Sequence, residues 1–120
     1  MTVEQALDAD REWGERFWLQ VGRHEIPSAA LMATMQDERD CAIGRWLRSS
    51  GTMGIRQRED YLELCRQHTC FHKELGRVAG LIQCGEFERV GRMLEPGNSF
   101  ERMSKMLEHA LSAMHWEHQM

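Results

Sequence analysis

The sequence predicts an all-α protein, an antiparallel four-helix bundle whose C-terminal helix is kinked or interrupted. Apolar residues recur every three or four positions along three long segments, and no alternating pattern typical of β-strands competes with them. Only short connections separate these segments. A chain of 120 residues, 42% of them hydrophobic and 28% charged, suits one core, so we expect a single domain over residues 1–120.

The first helix is predicted from Val3 to about Glu25, because Pro27 disfavours helical backbone at the preceding residue. Its inward stripe contains two polar residues, Asp10 and His24. A carboxylate at a core-facing position has to be paired or metal-bound unless it lies at a wet end of the stripe. The remaining members of the stripe are Val3, Leu7, Gly14, Phe17 and Val21.

A second, shorter helix is predicted from about Asp37, whose side chain can cap it, to Leu47, with Cys41 about one turn in. The segment before it, residues 26–36, is interpreted as a connector of mixed character that is helical in part. The longest helix is predicted from about Arg56 to Cys84. His68 and His72 both lie on its inner face, among Tyr61, Cys65, Leu75, Ala79 and Ile82.

The C-terminal part is predicted to be helical on both sides of an interruption. Residues 86–95 form one piece, and the run Pro96-Gly97-Asn98 kinks or breaks the chain. The last helix is then predicted from about Ser99 to Glu117. Its inward residues are Met103, Leu107, Ala110 and Met114.

Charge and composition exclude several classes of partner. The formal net charge is -4 and no block of Lys or Arg occurs, which argues against nucleic-acid binding. No apolar run is long enough to span a membrane and the N-terminus lacks a signal-peptide pattern, so we expect no membrane insertion and a cytoplasmic location. In the cytoplasm the four cysteines would stay reduced, which favours metal binding or redox chemistry over disulfides.

Four polar residues predict a metal site. His68 and His72 are four residues apart, so their rings project from one helix face and can bind a single ion. Cys41 and Asp10 add a thiolate and a carboxylate from two other inward-facing helices. Such a set suits zinc, whereas magnesium or calcium prefers oxygen ligands alone. A di-iron site is disfavoured because no histidine has a glutamate three residues before it.

Two motifs resemble the chemoreceptor zinc-binding (CZB) domain family of bacteria. One is similar to the family's Cys-x-Leu-Gly-x-Trp signature, and the other to its His-x-x-Phe-His signature. The segments 85–87 and 94–100 are similar to the family's tail, so the resemblance covers nearly the whole chain. The two motifs are Cys41-Ala42-Ile43-Gly44-Arg45-Trp46-Leu47 and His68-Thr69-Cys70-Phe71-His72.

The resemblance implies a four-helix bundle that binds Zn²⁺ and senses zinc or oxidants such as hypochlorous acid. It also implies a protein partner in signalling, a chemoreceptor or a diguanylate cyclase, on which a single-domain chain acts in trans; a homodimer is left open. The family holds zinc with one Cys and three His. Here Asp10 occupies the position of the first His, so the implied ligands are Asp10, Cys41, His68 and His72.

His24 is the alternative first ligand. It lies 14 residues beyond Asp10, which is roughly 21 Å along a helix, and it is interpreted instead as a helix-end residue near the last carbonyl groups. Cys65 is interpreted as a core cysteine, with a spare ligand or a resolving thiol as alternatives. Cys70 and Cys84 are interpreted as structural. Three further histidines are expected to face water: His109, His115 and His118.

The predicted function is therefore non-enzymatic regulation through a Cys-zinc redox switch. Two alternatives remain open at this point. The zinc can be a structural staple in an interaction module. Less favoured is a metal-dependent hydrolase, in which Asp10 stays off the metal and water takes the fourth position; no separate general base converges on the site.

Overall fold

The structure, a computed structural model, describes residues 2–39 and 41–114. Every regular element in these ranges is helical, so the predicted all-α class is confirmed for this part of the chain. None of the described helices combines the length and the apolar character that crossing a membrane requires. The elements are α1 (Val3–Arg23), α2 (Ala29–Gln36), α3 (Ala42–Leu47), a 3-10 helix (Ser50–Ile55), α4 (Glu59–Gln83), α5 (Phe87–Met93) and α6 (Ser99–Ala113).

Helix α1 is capped at both ends. At its start the Thr2 side chain accepts a hydrogen bond from the Gln5 backbone N–H, and the Gln5 side chain accepts one from the Thr2 N–H, a capping box. At its end His24 adopts the left-handed conformation with φ of 51°, and its N–H bonds the carbonyls of Gln20 and Val21. The helix thus ends at Arg23, two residues before the predicted end near Glu25.

The expected connector, residues 26–36, is helical in part as predicted, whereas the predicted start of the second helix at Asp37 is wrong. Helix α2 occupies most of the expected connector, and α3 begins only after Cys41. The Asp37 carboxylate accepts a hydrogen bond from the backbone N–H of Arg39. This bond stabilises a local turn instead of a helix cap. The N-cap residue is Cys41, whose sulfur accepts the N–H of Gly44.

Helix α4 is the central element, and it packs against α2, α5 and α6. Its predicted inner face is buried, except that Cys65 is only half-buried. Helix α1 packs against α3, α5 and α6. The core residues that α4 contributes are Tyr61, Leu64, Phe71, Leu75, Val78, Ala79 and Ile82.

The predicted interruption of the C-terminal helix is present. Helix α5 ends at Met93, and α6 begins at Ser99. Gly97 between them has φ of 86°, a conformation that favours glycine. Leu107, Ala110 and Met114 are buried as expected, and Met103 is half-buried. Helix α6 ends at Ala113, with extended backbone at Met114, so it ends before the predicted Glu117, which lies outside the described residues.

The C-terminal end of α3 is anchored on α4. The Tyr61 hydroxyl donates a hydrogen bond of 2.7 Å to the carbonyl of Leu47, and the buried Thr52 hydroxyl donates to the same carbonyl at 2.9 Å. These bonds satisfy the carbonyl of the last α3 residue, which has no partner within the helix. The Tyr61 bond joins the end of α3 to the first turn of α4, and the Thr52 bond joins it to the 3-10 helix.

Candidate metal centre

Cys41 is placed by the cap of α3. Its sulfur lies 3.2 Å from the donating N–H nitrogen of Gly44, and its thiol donates to the carbonyl of Glu38 at 3.6 Å. Gly44 is needed for this turn, because a Cβ there would lie 1.8 Å from the Glu38 carbonyl oxygen. The glycine of the Cys-x-x-Gly segment therefore permits the backbone approach that orients the cysteine.

His68 and His72 lie one turn apart on α4, and both are buried. Their ring centroids are 4.7 Å apart, with the rings nearly perpendicular. The Nε2 atom of His68 is 3.0 Å from the sulfur of Cys41. Among the described residues, these three side chains form a group whose ligand atoms all lie within 4.8 Å of one another, close enough to hold one metal ion.

Burial favours the neutral forms of His68 and Cys41 when no metal is bound. Burial, with a smaller contribution from the neighbouring His72, lowers the pKa of His68 to about 3. Burial also raises the pKa of the Cys41 thiol. Neutral imidazole is the ligand form of histidine, whereas cysteine binds metal as thiolate. Metal binding at this site therefore requires proton loss from Cys41 but none from His68.

Asp10 is buried in α1, with 1% of its surface exposed. Its Oδ2 atom accepts a hydrogen bond of 2.9 Å from the Ser104 hydroxyl on α6, and Oδ1 has no hydrogen-bond partner among the described residues. Burial, partly offset by the hydrogen bond from Ser104 and reinforced by the neighbouring Glu108, raises the pKa of Asp10 to about 7. A buried oxygen without a donor is suited to a cation.

A cavity of about 20 Å³ connects the four predicted ligands. Its volume matches a single water molecule or ion rather than a larger ligand. Asp10 is outside the group of three close ligand atoms but contributes to the wall of this cavity. The lining residues are Ala9, Asp10, Trp13, Cys41, Ala42, Ile43, His68, Phe71 and His72.

A larger groove of about 440 Å³ opens beside Cys41, between α1 and α3. Trp13, Arg16 and Arg45 line it. The Arg16 guanidinium lies 5.3 Å from the centre of the Trp13 ring and also pairs with Glu12 at 2.7 Å. Cys41 is half-buried and lines this groove, whereas His68 and His72 are buried, so the cysteine is the most exposed residue of the three.

The other candidate residues lie outside the group of three. His24 is exposed, and its ring stacks on Phe87 with centroids 4.7 Å apart. Cys65 is half-buried, and burial raises the pKa of its thiol. The remaining residues are either exposed, namely Cys70, Cys84 and His109, or outside the described part of the chain, namely His115 and His118.

Two residues beside the site were not predicted from the sequence. The backbone carbonyl of Glu38 accepts a hydrogen bond from the Cys41 thiol, and its carboxylate accepts one from the Thr69 hydroxyl. Glu38 therefore links the start of α3 to α4. Ser104 reaches Asp10 from α6. The only local signal for Ser104 is its position next to the inward-facing Met103, and nothing in the sequence around Glu38 indicates its contacts.

Comparisons with protein-family models, with curated proteins and with solved structures give no match. The CZB resemblance therefore continues to rest on the two motifs. The structure adds that the cysteine of one motif and both histidines of the other meet at one small cavity.

Proposed function

We propose that this chain is a zinc-binding regulatory domain in which Asp10, Cys41, His68 and His72 hold Zn²⁺. The observation that carries the proposal is the convergence of one cysteine and two histidines on a cavity the size of one ion. Sulfur and imidazole ligands favour zinc over magnesium or calcium. The buried Oδ1 of Asp10 supports the carboxylate as the fourth ligand.

The proposed architecture is an antiparallel four-helix bundle, with the metal centre between its helices. The four proposed ligands lie on three elements that are well separated in the sequence: α1, the start of α3, and α4. An ion bound by all of them links these elements, so losing one ligand changes their packing. This linkage is what a regulatory domain needs, because a local chemical change then alters the relative positions of helices.

The proposed signal is oxidation of Cys41. Zinc, when bound, keeps this thiolate ionised at neutral pH. The thiolate attacks hypochlorous acid to give the sulfenic acid and chloride; sulfur is oxidised, and the chlorine atom is reduced to chloride. The sulfenic acid is a weaker ligand than the thiolate. Access through the groove lined by Arg16 and Arg45 supports Cys41 as the reactive ligand.

The proposed regulatory output is based on the resemblance to the CZB family. We propose that the metal-dependent packing is read by a signalling protein, a chemoreceptor or a diguanylate cyclase. The second candidate function is a structural zinc staple in an interaction module. Burial of His68 and His72, which protects the ion from exchange, favours this second candidate.

Metal analysis of protein purified without added metal tests the zinc site. We expect one zinc per chain in the wild type and loss of most of it in Cys41→Ala and in His72→Ala. Cys65→Ala is the matched control, because Cys65 lies on α4 outside the close group and should leave zinc bound. Full zinc occupancy in both ligand variants would disprove the site.

Sub-stoichiometric hypochlorite separates the sensor from the staple. In the zinc-loaded protein we expect Cys41 to be modified first, with parallel zinc release measured by a chromogenic chelator. In the metal-free protein we expect the exposed Cys70 and Cys84 to react before Cys41, because burial raises the pKa of the Cys41 thiol. If Cys70 or Cys84 is modified first in the zinc-loaded protein and zinc is retained, the redox-sensor function is excluded and the structural zinc staple remains.

A further inference from the structure

The hydrogen bond between Ser104 and Asp10 joins two residues that are 94 positions apart in the chain. It holds Oδ2 of a carboxylate that is almost completely buried, while Oδ1 has no donor among the described residues. Asp10 also lines the cavity shared with Cys41, His68 and His72. The two oxygens of Asp10 are therefore in different environments: Oδ2 accepts the Ser104 hydroxyl of α6, and Oδ1 has no hydrogen bond from any residue that the structure describes.

We infer that Ser104 is the positioning residue of the metal centre, and that it couples metal occupancy to the packing of α6 on α1. The inference rests on the proposed function. Ser104 contributes no ligand atom to the close group of three. Its hydroxyl donates a hydrogen bond to Oδ2, which orients the carboxylate and leaves Oδ1 available to an ion.

Helix α6 contacts α1 at a second point one turn beyond Ser104. The Arg11 side chain on α1 lies 3.4 Å from a carboxylate oxygen of Glu108. Arg11 directly follows Asp10, so both contacts converge on the same turn of α1. When the ion orders Asp10, it also orders the acceptor of the Ser104 hydrogen bond. Metal binding should therefore stabilise α6, although none of the proposed ligands lies on that helix.

The first test is a zinc-affinity measurement by competition with a chromogenic chelator. Removing a hydrogen bond to a metal ligand typically lowers affinity about 10-fold to 100-fold, so we expect a loss of that size in Ser104→Ala. Ser104→Thr keeps the hydroxyl and should keep most of the affinity. Ser112→Ala is the control, because Ser112 is exposed on the same helix and should bind as the wild type. Wild-type affinity in Ser104→Ala would overturn the inference.

A double-mutant cycle separates positioning from a general loss of stability. If Ser104 acts through Asp10, Ser104→Ala should cause no further loss of zinc affinity in an Asp10→Ala background. An equal loss in both backgrounds would overturn the positioning role. This comparison is valid even when Ser104→Ala is less stable, since instability would lower affinity in either background.

Amide hydrogen exchange with and without zinc tests the coupling to α6. Zinc should slow exchange in α6 of the wild type and should slow it much less in Ser104→Ala. Equal slowing in both proteins would overturn the coupling. The zinc content of Cys41→Ala distinguishes failure of the proposed metal site from failure of the proposed role of Ser104. Full zinc binding in that variant disproves the metal site itself, whereas zinc loss there together with normal binding in Ser104→Ala disproves only the role of Ser104.

Discussion

Replacing Gly44 by alanine should destabilise both the fold and the metal centre. Helix propensity alone predicts the opposite, because alanine within a helix is favoured over glycine by about 0.5–1 kcal/mol. In this structure, however, the added Cβ would lie 1.8 Å from the carbonyl oxygen and 2.9 Å from the carbonyl carbon of Glu38. Both are backbone atoms, so a side-chain rotation cannot relieve the contact.

The expected magnitude follows from these two opposing effects. Overpacking in a well-packed region costs typically about 1–3 kcal/mol, and a backbone contact this close belongs at the upper end of that range. Subtracting the propensity gain leaves a net loss of about 2 kcal/mol in the free energy of unfolding. The clash also distorts the turn in which the Gly44 N–H donates to the Cys41 sulfur, a bond that the thiolate keeps, so Gly44→Ala should bind zinc more weakly.

Urea denaturation of the metal-free protein, followed by circular dichroism, measures the effect. Gly80→Ala is the matched control, since Gly80 lies in α4 and its added Cβ would have no neighbour within 4 Å. It should gain about 0.5–1 kcal/mol in the free energy of unfolding. If Gly44→Ala is as stable as the wild type and binds zinc equally well, the close approach of Glu38 does not determine the geometry of the site.

Zinc affinity should rise with pH. Above about pH 7 it should rise about tenfold per pH unit, because Cys41 must lose one proton to bind. Below about pH 7 the dependence on pH should be steeper, because Asp10 must lose a proton as well. Competition titrations at several pH values measure the slope, and an unchanged slope below pH 7 in Asp10→Ala would exclude Asp10 as a ligand. Tyr61→Phe should lose about 1 kcal/mol of stability in urea denaturation, since its hydroxyl bonds the Leu47 carbonyl; an unchanged midpoint would contradict this. His24→Ala should retain its zinc in metal analysis, and loss of zinc would identify His24 as the first ligand.

The sequence alone predicted the long helices and most of their buried faces. Apolar residues at a helical period identify the inner face of a helix, and that rule depends only on local geometry. The same rule identified His68 and His72 as neighbours on one face, and it identified Asp10 as a carboxylate on a core stripe. The burial of all three residues confirms those placements.

The start of α3 depended on an unusual local cap and on one contact with another helix. The sequence around Asp37 is compatible with a helix cap, but the side chain bonds the backbone of Arg39 instead. The cap is formed by Cys41, whose thiol is positioned by the carbonyl of Glu38 and by its approach to His68. A cysteine is an unusual cap, so residue preferences alone favour the wrong start.

Only the tertiary structure decided which polar residues meet. Cys41 and His68 are 27 residues apart, and Ser104 and Asp10 are 94 apart. Such contacts depend on how helices cross and on their relative rotation, which are properties of packed pairs of helices rather than of one segment. The sequence by itself therefore determined which residues could serve as metal ligands, and the packing of α1, α3, α4 and α6 determined their distances and the residues that hold them in place.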